Sequence, residues 1–332
     1  MATSPTLSAR RNRIQIVKIE KRLSHDLIAT SGYVGRVSHI YQNGFDLLRS
    51  GGRLIHLRNG KWLASPFGMI LDRPVGEWVK RVSLKVGDVF HRQDRWLQRE
   101  TGERGIISFD LVEVIDLQKI LSPTPPGPET LKAWIQILAE NILQTGRFEG
   151  IGGSLILLKR ECPGLFPDSS IPQSFWSRHA LKRVAKLVES VKGRNSETFQ
   201  EAYEGLLGLG PGVTPAGDDF LVGLLAAHTL FSSSFRHWIE KEGLTMRMRE
   251  KIDGRTSRVA SQFLGYALKG LFSETLYRVF EELTSQIHGQ PGADRSFRGE
   301  DWEGAIHDFL QWGHSSGTDA LTGVVFGFRT MM

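Results

Sequence analysis

A cluster of prolines divides this chain into two parts whose hydrophobic residues follow different periods. Four of the seven residues in segment 122–128 are proline, and proline fixes φ and lacks an amide donor. Before this segment apolar residues alternate with polar ones, as in strands, and after it they recur every three or four residues, as in helices. The sequence predicts an α+β chain: a small antiparallel β-barrel or sandwich, then a mainly helical bundle.

We therefore expect four segments along the 332 residues. Residues 1–13 form a basic tail, 14–121 a β-rich domain, 122–128 a proline-rich linker and 129–332 a helical domain carrying the site loops. This length allows two hydrophobic cores, because single cores usually stop growing at about 250 to 300 residues. With 40% hydrophobic and 23% charged residues, the composition is typical of a soluble globular protein.

Local patterns predict individual elements in both domains. Asn59-Gly60 lies between two apolar stretches, which predicts a β-hairpin with a type I′ turn, and the alternation from Val82 to Val86 predicts a strand. In the helical domain, Ser273 stands at the N-cap position of an amphipathic segment. Another helical stripe comprises Leu131, Trp134, Ile135, Leu138 and Ile142.

Charge and cysteine content exclude several classes of protein. The net charge is +6, but Arg10, Arg11 and Arg13 supply half of it, and no long basic run appears, so we expect no nucleic-acid partner. A mild basic excess suits small anionic ligands better. Cys162 is the only cysteine, no apolar h-region begins the sequence and no apolar run would span a bilayer, which together predict a cytoplasmic protein without membrane contact.

The candidate site comprises two similar loops that each lead into an apolar segment. Gly208-Leu-Gly-Pro-Gly-Val-Thr-Pro-Ala-Gly-Asp-Asp219 is the first, and His314-Ser-Ser-Gly-Thr-Asp319 is the second. When Asp219 is aligned with Asp319, Gly, Asp, Leu and Gly recur at equal offsets. Loop amides ahead of a helix start can bind an anion, because the first helical N–H groups lack internal partners. Two helix starts built alike predict one two-sided site.

The acids beside these amides leave two interpretations open. Asp218 and Asp219 can cap a helix and complement its dipole, or one of them can face a ligand, since neighbouring helical residues point about 100° apart. We name Asp219, His314 and Asp319 as candidate catalytic residues. The candidate substrate-binding residues are Gly210, Gly212, Thr214, Gly217, Asp218, Arg258, Ser315, Ser316 and Gly317.

Other motifs carry weaker signals. Arg255-Thr-Ser-Arg258 opens a predicted helix with groups that suit phosphate or carboxylate, although a cap with a solvated face explains it as well. Gly150-Ile-Gly-Gly-Ser154 predicts a tight turn into a buried strand. The loops match neither a Walker A loop nor a dinucleotide fingerprint, and no cluster has zinc spacing. We expect no cofactor, with Mg²⁺ at the three aspartates as an open alternative.

The loops also resemble a known family. Gly208 to Gly223, Gly313-His-Ser-Ser-Gly-Thr-Asp319 and the segment Arg255 to Gly270 are similar to the bacterial AllH-like family, from about Gly35 to the C-terminus. The resemblance implies a subunit of oxamate carbamoyltransferase, acting in allantoin degradation with AllF-like and AllG-like partner subunits. That enzyme interconverts oxalurate plus phosphate with oxamate plus carbamoyl phosphate.

The loop chemistry agrees with that reaction. Loop amides with Ser315, Ser316 and Arg258 would hold phosphate and the ligand carboxylate, His314 would stabilise charge on the carbamoyl oxygen, and Asp219 or Asp319 would accept from the carbamoyl NH2. Two rival functions stay open. One is a non-catalytic subunit whose glycine loops only cap buried helices, and the other is magnesium-dependent phosphoryl transfer.

Overall fold

The computed structural model describes residues 12–101, 105–110, 112–118, 126–161, 171–288 and 304–332. The chain separates into two compact units, Met1–Lys119 and Ile120–Met332. The first is a β-barrel and the second is mostly helical, so the predicted α+β class is confirmed. Most of the basic tail, most of the proline linker and Cys162 lie outside the described residues, and the predicted domain limits stay predictions.

Eight strands of the first unit form a closed barrel, and a ninth adds to one of them. Their order in the sheet is β5-β4-β3-β2-β6-β7-β8-β1-β9, and pairing of β5 with β1 closes the barrel. The strands are β1 (Arg13–Glu20), β2 (Gly32–Tyr41), β3 (Gly44–Leu48), β4 (Leu54–Asn59), β5 (Gly68–Leu71), β6 (Val89–Gln93), β7 (Trp96–Arg99), β8 (Ile106–Ser108) and β9 (Glu113–Ile115). Helices α1 (Lys21–Ile28) and α2 (Val75–Arg81) interrupt them.

Side chains at alternate strand positions face inward and fill the barrel, among them those of Phe45, Leu57, Met69 and Phe90. Most strand pairs are antiparallel, as predicted, but β4–β5, β1–β8 and β1–β9 are parallel. Closure removes the exposed edges that an open sheet of this size would leave. The alternation of buried and exposed residues that predicted the β domain is the alternation between barrel interior and surface.

Two local predictions in this unit are wrong. Asn59 stays extended in β4, and the chain returns through residues 60–67 to form β5 parallel to β4, so no type I′ hairpin exists there. The alternating residues from Val82 follow the end of α2 as turns, and the side chain of Val86 is exposed. In both cases tertiary packing overrode a short local signal.

In its described residues the second unit consists mainly of helices. They are α3 (Pro128–Thr145), α4 (Ile156–Glu161), α5 (Phe175–Lys192), α6 (Ser196–Leu206), α7 (Ala216–Phe231), α8 (Ser233–Lys241), α9 (Leu244–Ile252), α10 (Arg258–Ala267), α11 (Glu274–His288), α12 (Ala305–Leu310) and α13 (Ser316–Arg329). A 3₁₀ turn, Gly152–Leu155, precedes α4. The turn-into-strand prediction for residues 150–158 is therefore wrong, because the chain enters a helix there.

Helical periodicity located this core correctly. The predicted stripe of α3 is buried from Leu131 to Ile142, and the Ser273 hydroxyl caps α11 by accepting from the amide of Leu276 at 3.2 Å. Helices α7 and α13 are buried along most of their length and lie at the centre of the unit. Across the ranges described above, no helix is long and apolar enough to cross a bilayer.

Candidate functional site

The two predicted helix starts belong to a pair of central helices that run in the same direction. At one end of the pair, the hydroxyl oxygens of Thr214 and Ser316 are 3.1 Å apart. At the other end, the Nε2 atom of His228 is 2.7 Å from the hydroxyl oxygen of Thr330. Positions about 100 residues apart therefore face each other along the whole contact. Both helix N-termini, with their positive dipole ends, open on the same place.

Small residues let these helices approach closely and in the same way from both sides. A Cβ atom on Gly223 would lie 1.8 Å from the carbonyl oxygen of Ala320, and one on Gly323 would lie 2.0 Å from that of Phe220. The glycines shared by the two loops are therefore packing residues as well as loop residues. The internal sequence match between the loops corresponds to an approximate twofold arrangement of α7 and α13.

Each helix also begins against the end of the helix before it. A Cβ atom on Gly217 would lie 2.1 Å from the carbonyl oxygen of Leu206, and one on Gly317 would lie 1.9 Å from that of Phe309. The amide of Gly217 donates to Leu209 and the amide of Gly317 donates to Trp312. These two amides are used inside the protein, so Gly217 and Gly317 fix the geometry of the helix starts.

The rest of the first loop lies at the surface. Gly210 has a φ of +116°, and a Cβ atom there would lie 2.8 Å from the amide nitrogen of Ala216, so glycine is required at this position. Gly212 is exposed and Thr214 is half-buried. The loop therefore presents backbone to solvent at residues 211–213, directly before the buried start of α7.

Asp219 is 6% exposed, and the neighbouring groups that shift the pKa of its carboxyl are side chains. Burial raises the pKa of its carboxyl well above the usual range, nearby Asp319 raises it further, and the hydroxyls of Ser316 and Thr214 lower it. Its Oδ2 atom is buried and has no hydrogen-bond partner among the described residues. This environment favours the neutral form of the carboxyl group.

Asp319, the equivalent residue on α13, is bound by the backbone. Its Oδ1 atom accepts from the amides of Ile151 and Gly152 at 2.7 and 3.0 Å. A Cβ atom on Gly150 would lie only 2.1 Å from its Oδ2 atom, which has no described hydrogen-bond partner either. Burial raises the pKa of Asp319 to about 7, while Ser315 and the two amides lower it. Asp319 thus holds the start of the 3₁₀ turn in place.

Asp218 ties three segments together. Its Oδ1 atom accepts from the amide of Gly208 at 3.0 Å, and its Oδ2 atom accepts from the hydroxyl of Thr256. Burial raises its pKa to about 6 against the lowering effect of these bonds. The N-cap position of α7 is Pro215, so Asp218 does not cap its own helix, and its carboxylate oxygens are both engaged.

His314 and Arg258 lie at the surface. The His314 side chain is 75% exposed, and its Nε2 atom is 3.6 Å from the carboxylate of Glu149. Arg258 is exposed at the first residue of α10, and within the described parts of the chain no hydrogen bond or ion pair engages its guanidinium. The neighbouring Ser257 hydroxyl donates to the carbonyl of Val213, which attaches the start of α10 to the first loop.

The sequence did not predict which distant segments bind the second loop and the start of its helix. Thr318 accepts from the amide of Arg147 at 2.8 Å, and the Arg147 guanidinium donates to the carbonyls of Gly313 and His314. It also missed an apolar cavity beside Asp219. No local pattern indicates these contacts, because their partners are more than 160 residues apart.

This arrangement offers hydroxyls, exposed loop amides and two buried carboxyl groups near two positive helix ends. Such a set can bind a small polar ligand that has both an anionic part and an amide part. In the described ranges no group of three or more histidine, cysteine, aspartate or glutamate side chains is arranged to hold a metal ion.

Comparison with known proteins matches part of this chain to a family. Residues 206–328 match the model of a family described as oxamate carbamoyltransferase subunit AllH. The match is narrower than the similarity expected from Gly35 onward and does not include the β unit. Neither a curated protein nor a solved structure matches the chain. Since both helix starts lie inside the matched segment, this match supports assigning the chain to an AllH-like family.

Proposed function

We propose that this chain is a subunit of a carbamoyltransferase that interconverts oxalurate plus phosphate with oxamate plus carbamoyl phosphate. The matched family is a subunit of that enzyme. One observation carries the proposal to a site: the matched segment contains both helix starts, and each has a buried carboxyl group with an oxygen that lacks a described partner. Proteins rarely leave such groups unpaired without a reason.

In the proposed reaction a phosphate oxygen attacks the carbamoyl carbon of oxalurate. The bond from that carbon to the oxamate nitrogen breaks, a carbon–oxygen bond to phosphate forms, and the nitrogen takes the proton that the phosphate hydroxyl gives up. Loop amides at Gly210 and Gly212, the hydroxyls of Ser315 and Ser316, and Arg258 would hold the anionic groups. One of the two buried carboxyl groups would accept from the carbamoyl NH2.

His314 supplies the remaining role in this scheme. Its exposed imidazole, oriented by the Glu149 carboxylate, would donate to the carbamoyl oxygen as negative charge develops there. No covalent intermediate with the protein is needed, because positioning and charge stabilisation suffice for this transfer. AllF-like and AllG-like subunits would complete the enzyme.

Reconstitution tests the proposal directly. The chain is mixed with AllF-like and AllG-like subunits, and oxamate release from oxalurate and phosphate is measured. We expect turnover to require this chain, and to fall at least tenfold for Asp219→Ala and for Ser316→Ala. Glu189→Gln, at an exposed position of α5, serves as the control with unchanged turnover.

Two results would contradict the proposal. Full turnover without this chain would show that it has no part in the reaction. Turnover that requires the chain but is unaffected by both variants would favour the rival function, a non-catalytic subunit whose loops only support helices. The bonds from Asp218 and Asp319 to backbone amides favour that rival at those two residues, but no such bond engages Asp219.

A further inference from the structure

A cavity beside Asp219 gives the two buried carboxyl groups, those of Asp219 and Asp319, different surroundings. It lies among α7, α10 and the residues that precede α11 and α13, and its volume is about 20 Å³. A space of 10 to 15 Å³ or more holds about one water molecule, so this cavity has room for one atom group of that size. Asp219 lines the cavity and Asp319 does not.

The walls of the cavity are mostly hydrophobic. Phe263, Leu271, Phe272 and Trp312 form much of the lining, and Ser273 is its only polar residue besides Asp219. The Ser273 hydroxyl already accepts from the Leu276 amide and from the Thr275 hydroxyl, at 3.2 and 2.9 Å. Asp219 is thus the lining residue whose buried oxygen, Oδ2, has no described partner.

These walls determine which ligand group can enter. A charged ammonium would lose its hydration in a hydrophobic space, which costs several kcal/mol unless a carboxylate pairs with it. Burial and nearby Asp319 raise the pKa of Asp219 well above its usual range, which favours the neutral form of its carboxyl group. A neutral carboxyl accepts through its carbonyl oxygen and donates through its hydroxyl. The complementary neutral group is an unsubstituted amide.

We propose that Asp219, and not Asp319, receives the carbamoyl NH2 of the ligand in this cavity, whose size excludes a substituent on that terminal nitrogen. The inference rests on the proposed function for the identity of the ligand. Beyond that function, it specifies which of the two carboxyl groups contacts the ligand and which ligands the cavity excludes. Phe263 and Phe272 become specificity-determining residues, because their rings occupy the space that a substituent on nitrogen would need.

Calorimetry with the full-length chain, alone and in the reconstituted complex, tests this inference. Oxalurate and its analogue methylated on the terminal carbamoyl nitrogen differ by one methyl group. We expect oxalurate to bind at least tenfold more tightly than this analogue. Phe272→Ala, which enlarges the cavity, should reduce that ratio to below threefold.

Variants of the two aspartates supply the second part of the test. Asp219→Asn keeps a carbonyl acceptor and should keep oxalurate affinity within threefold, whereas Asp219→Ala should lower it at least tenfold. Asp319→Asn, the matched control on α13, should bind oxalurate like the unchanged chain. Far-ultraviolet circular dichroism of each variant establishes that it is folded.

The outcomes separate this inference from the proposed function. Carbamoyl transfer with equal binding of oxalurate and its N-methyl analogue would overturn the inference and leave the function standing. Selective oxalurate binding that depends on Asp219, without carbamoyl transfer, would support the cavity assignment and reject the function. No oxalurate binding by either the chain or the complex would overturn the inference.

Discussion

Asp219 and Asp319 occupy equivalent positions on two similar helix starts, yet their partners differ in kind. Asp319 accepts from two backbone amides, whereas the groups that hydrogen-bond to Asp219 are the side-chain hydroxyls of Thr214 and Ser316, which also contact each other. Asp219 also borders a cavity and Asp319 borders Gly150. A duplicated motif can thus keep one copy as a structural anchor while the other remains available to a ligand.

The largest effect should come from breaking the contact that makes the two helix starts equivalent. Gly223→Ala and Gly323→Ala each place a methyl group within about 2 Å of a carbonyl oxygen of the other helix. We expect each to lower the free energy of unfolding by about 3 kcal/mol, the upper range for overpacked sites. Urea denaturation followed by circular dichroism measures this loss.

Gly265→Ala is the matched control for that experiment. Gly265 lies within α10, and a Cβ atom there would meet nothing within 4 Å. Alanine should stabilise this helix by about 0.5 to 1 kcal/mol. If Gly223→Ala were as stable as Gly265→Ala, the close contact between α7 and α13 would be wrong.

The next effect distinguishes the two aspartates by stability. Asp319→Ala leaves the amides of Ile151 and Gly152 buried without their acceptor, so we expect a loss of about 2 kcal/mol. Asp219→Ala removes no acceptor from a backbone amide and should cost about 1 kcal/mol or less. Thermal and urea unfolding of both variants check this order. Equal losses would contradict the assignment of Asp319 as the anchor.

The pH dependence of stability should report the same anchor. The folded pKa of Asp319 is about 7, above the usual 3.8 of an aspartate, so the folded state binds this proton more tightly than the unfolded state does. Its stabilising contribution is complete below about pH 4 and is lost as the pH rises through 7. Each proton involved changes stability by about 1.4 kcal/mol per pH unit.

Asp319→Asn isolates this contribution, since asparagine keeps the acceptor oxygen but cannot ionise. Urea unfolding between pH 4 and pH 8 should show a shallower decline for this variant than for the unchanged chain. Glu189→Gln, at an exposed position of α5, again provides the control. Parallel curves for Asp319→Asn and the unchanged chain would rule out a raised pKa at Asp319.

The smallest effect should come from His314. Its side chain is exposed, and exposed ion pairs such as that with Glu149 contribute about 1 kcal/mol at most. His314→Ala should therefore leave the free energy of unfolding nearly unchanged while it lowers turnover of the reconstituted complex. A large loss of stability would show that this residue supports the second loop instead of the reaction.

The sequence predicted the barrel, the helical unit and the equivalence of Asp219 with Asp319, because these depend on periodicity and on a repeated local pattern. It did not predict that Asp319 would bind the amides of Ile151 and Gly152, because that contact depends on how α3 and α13 pack. The Asn59-Gly60 turn failed for a similar reason. A local turn preference contributes less to the stability of the fold than the burial of β5 in the barrel does.

The most direct test of the difference between the aspartates is a crystal structure of the chain with oxalurate bound. We predict that the terminal carbamoyl nitrogen of oxalurate lies within hydrogen-bond distance of Asp219, in the cavity beside Phe263 and Phe272. The amides of Ile151 and Gly152 should remain bound to Asp319. A carbamoyl nitrogen bound to Asp319, with the cavity beside Asp219 unchanged, would contradict the account.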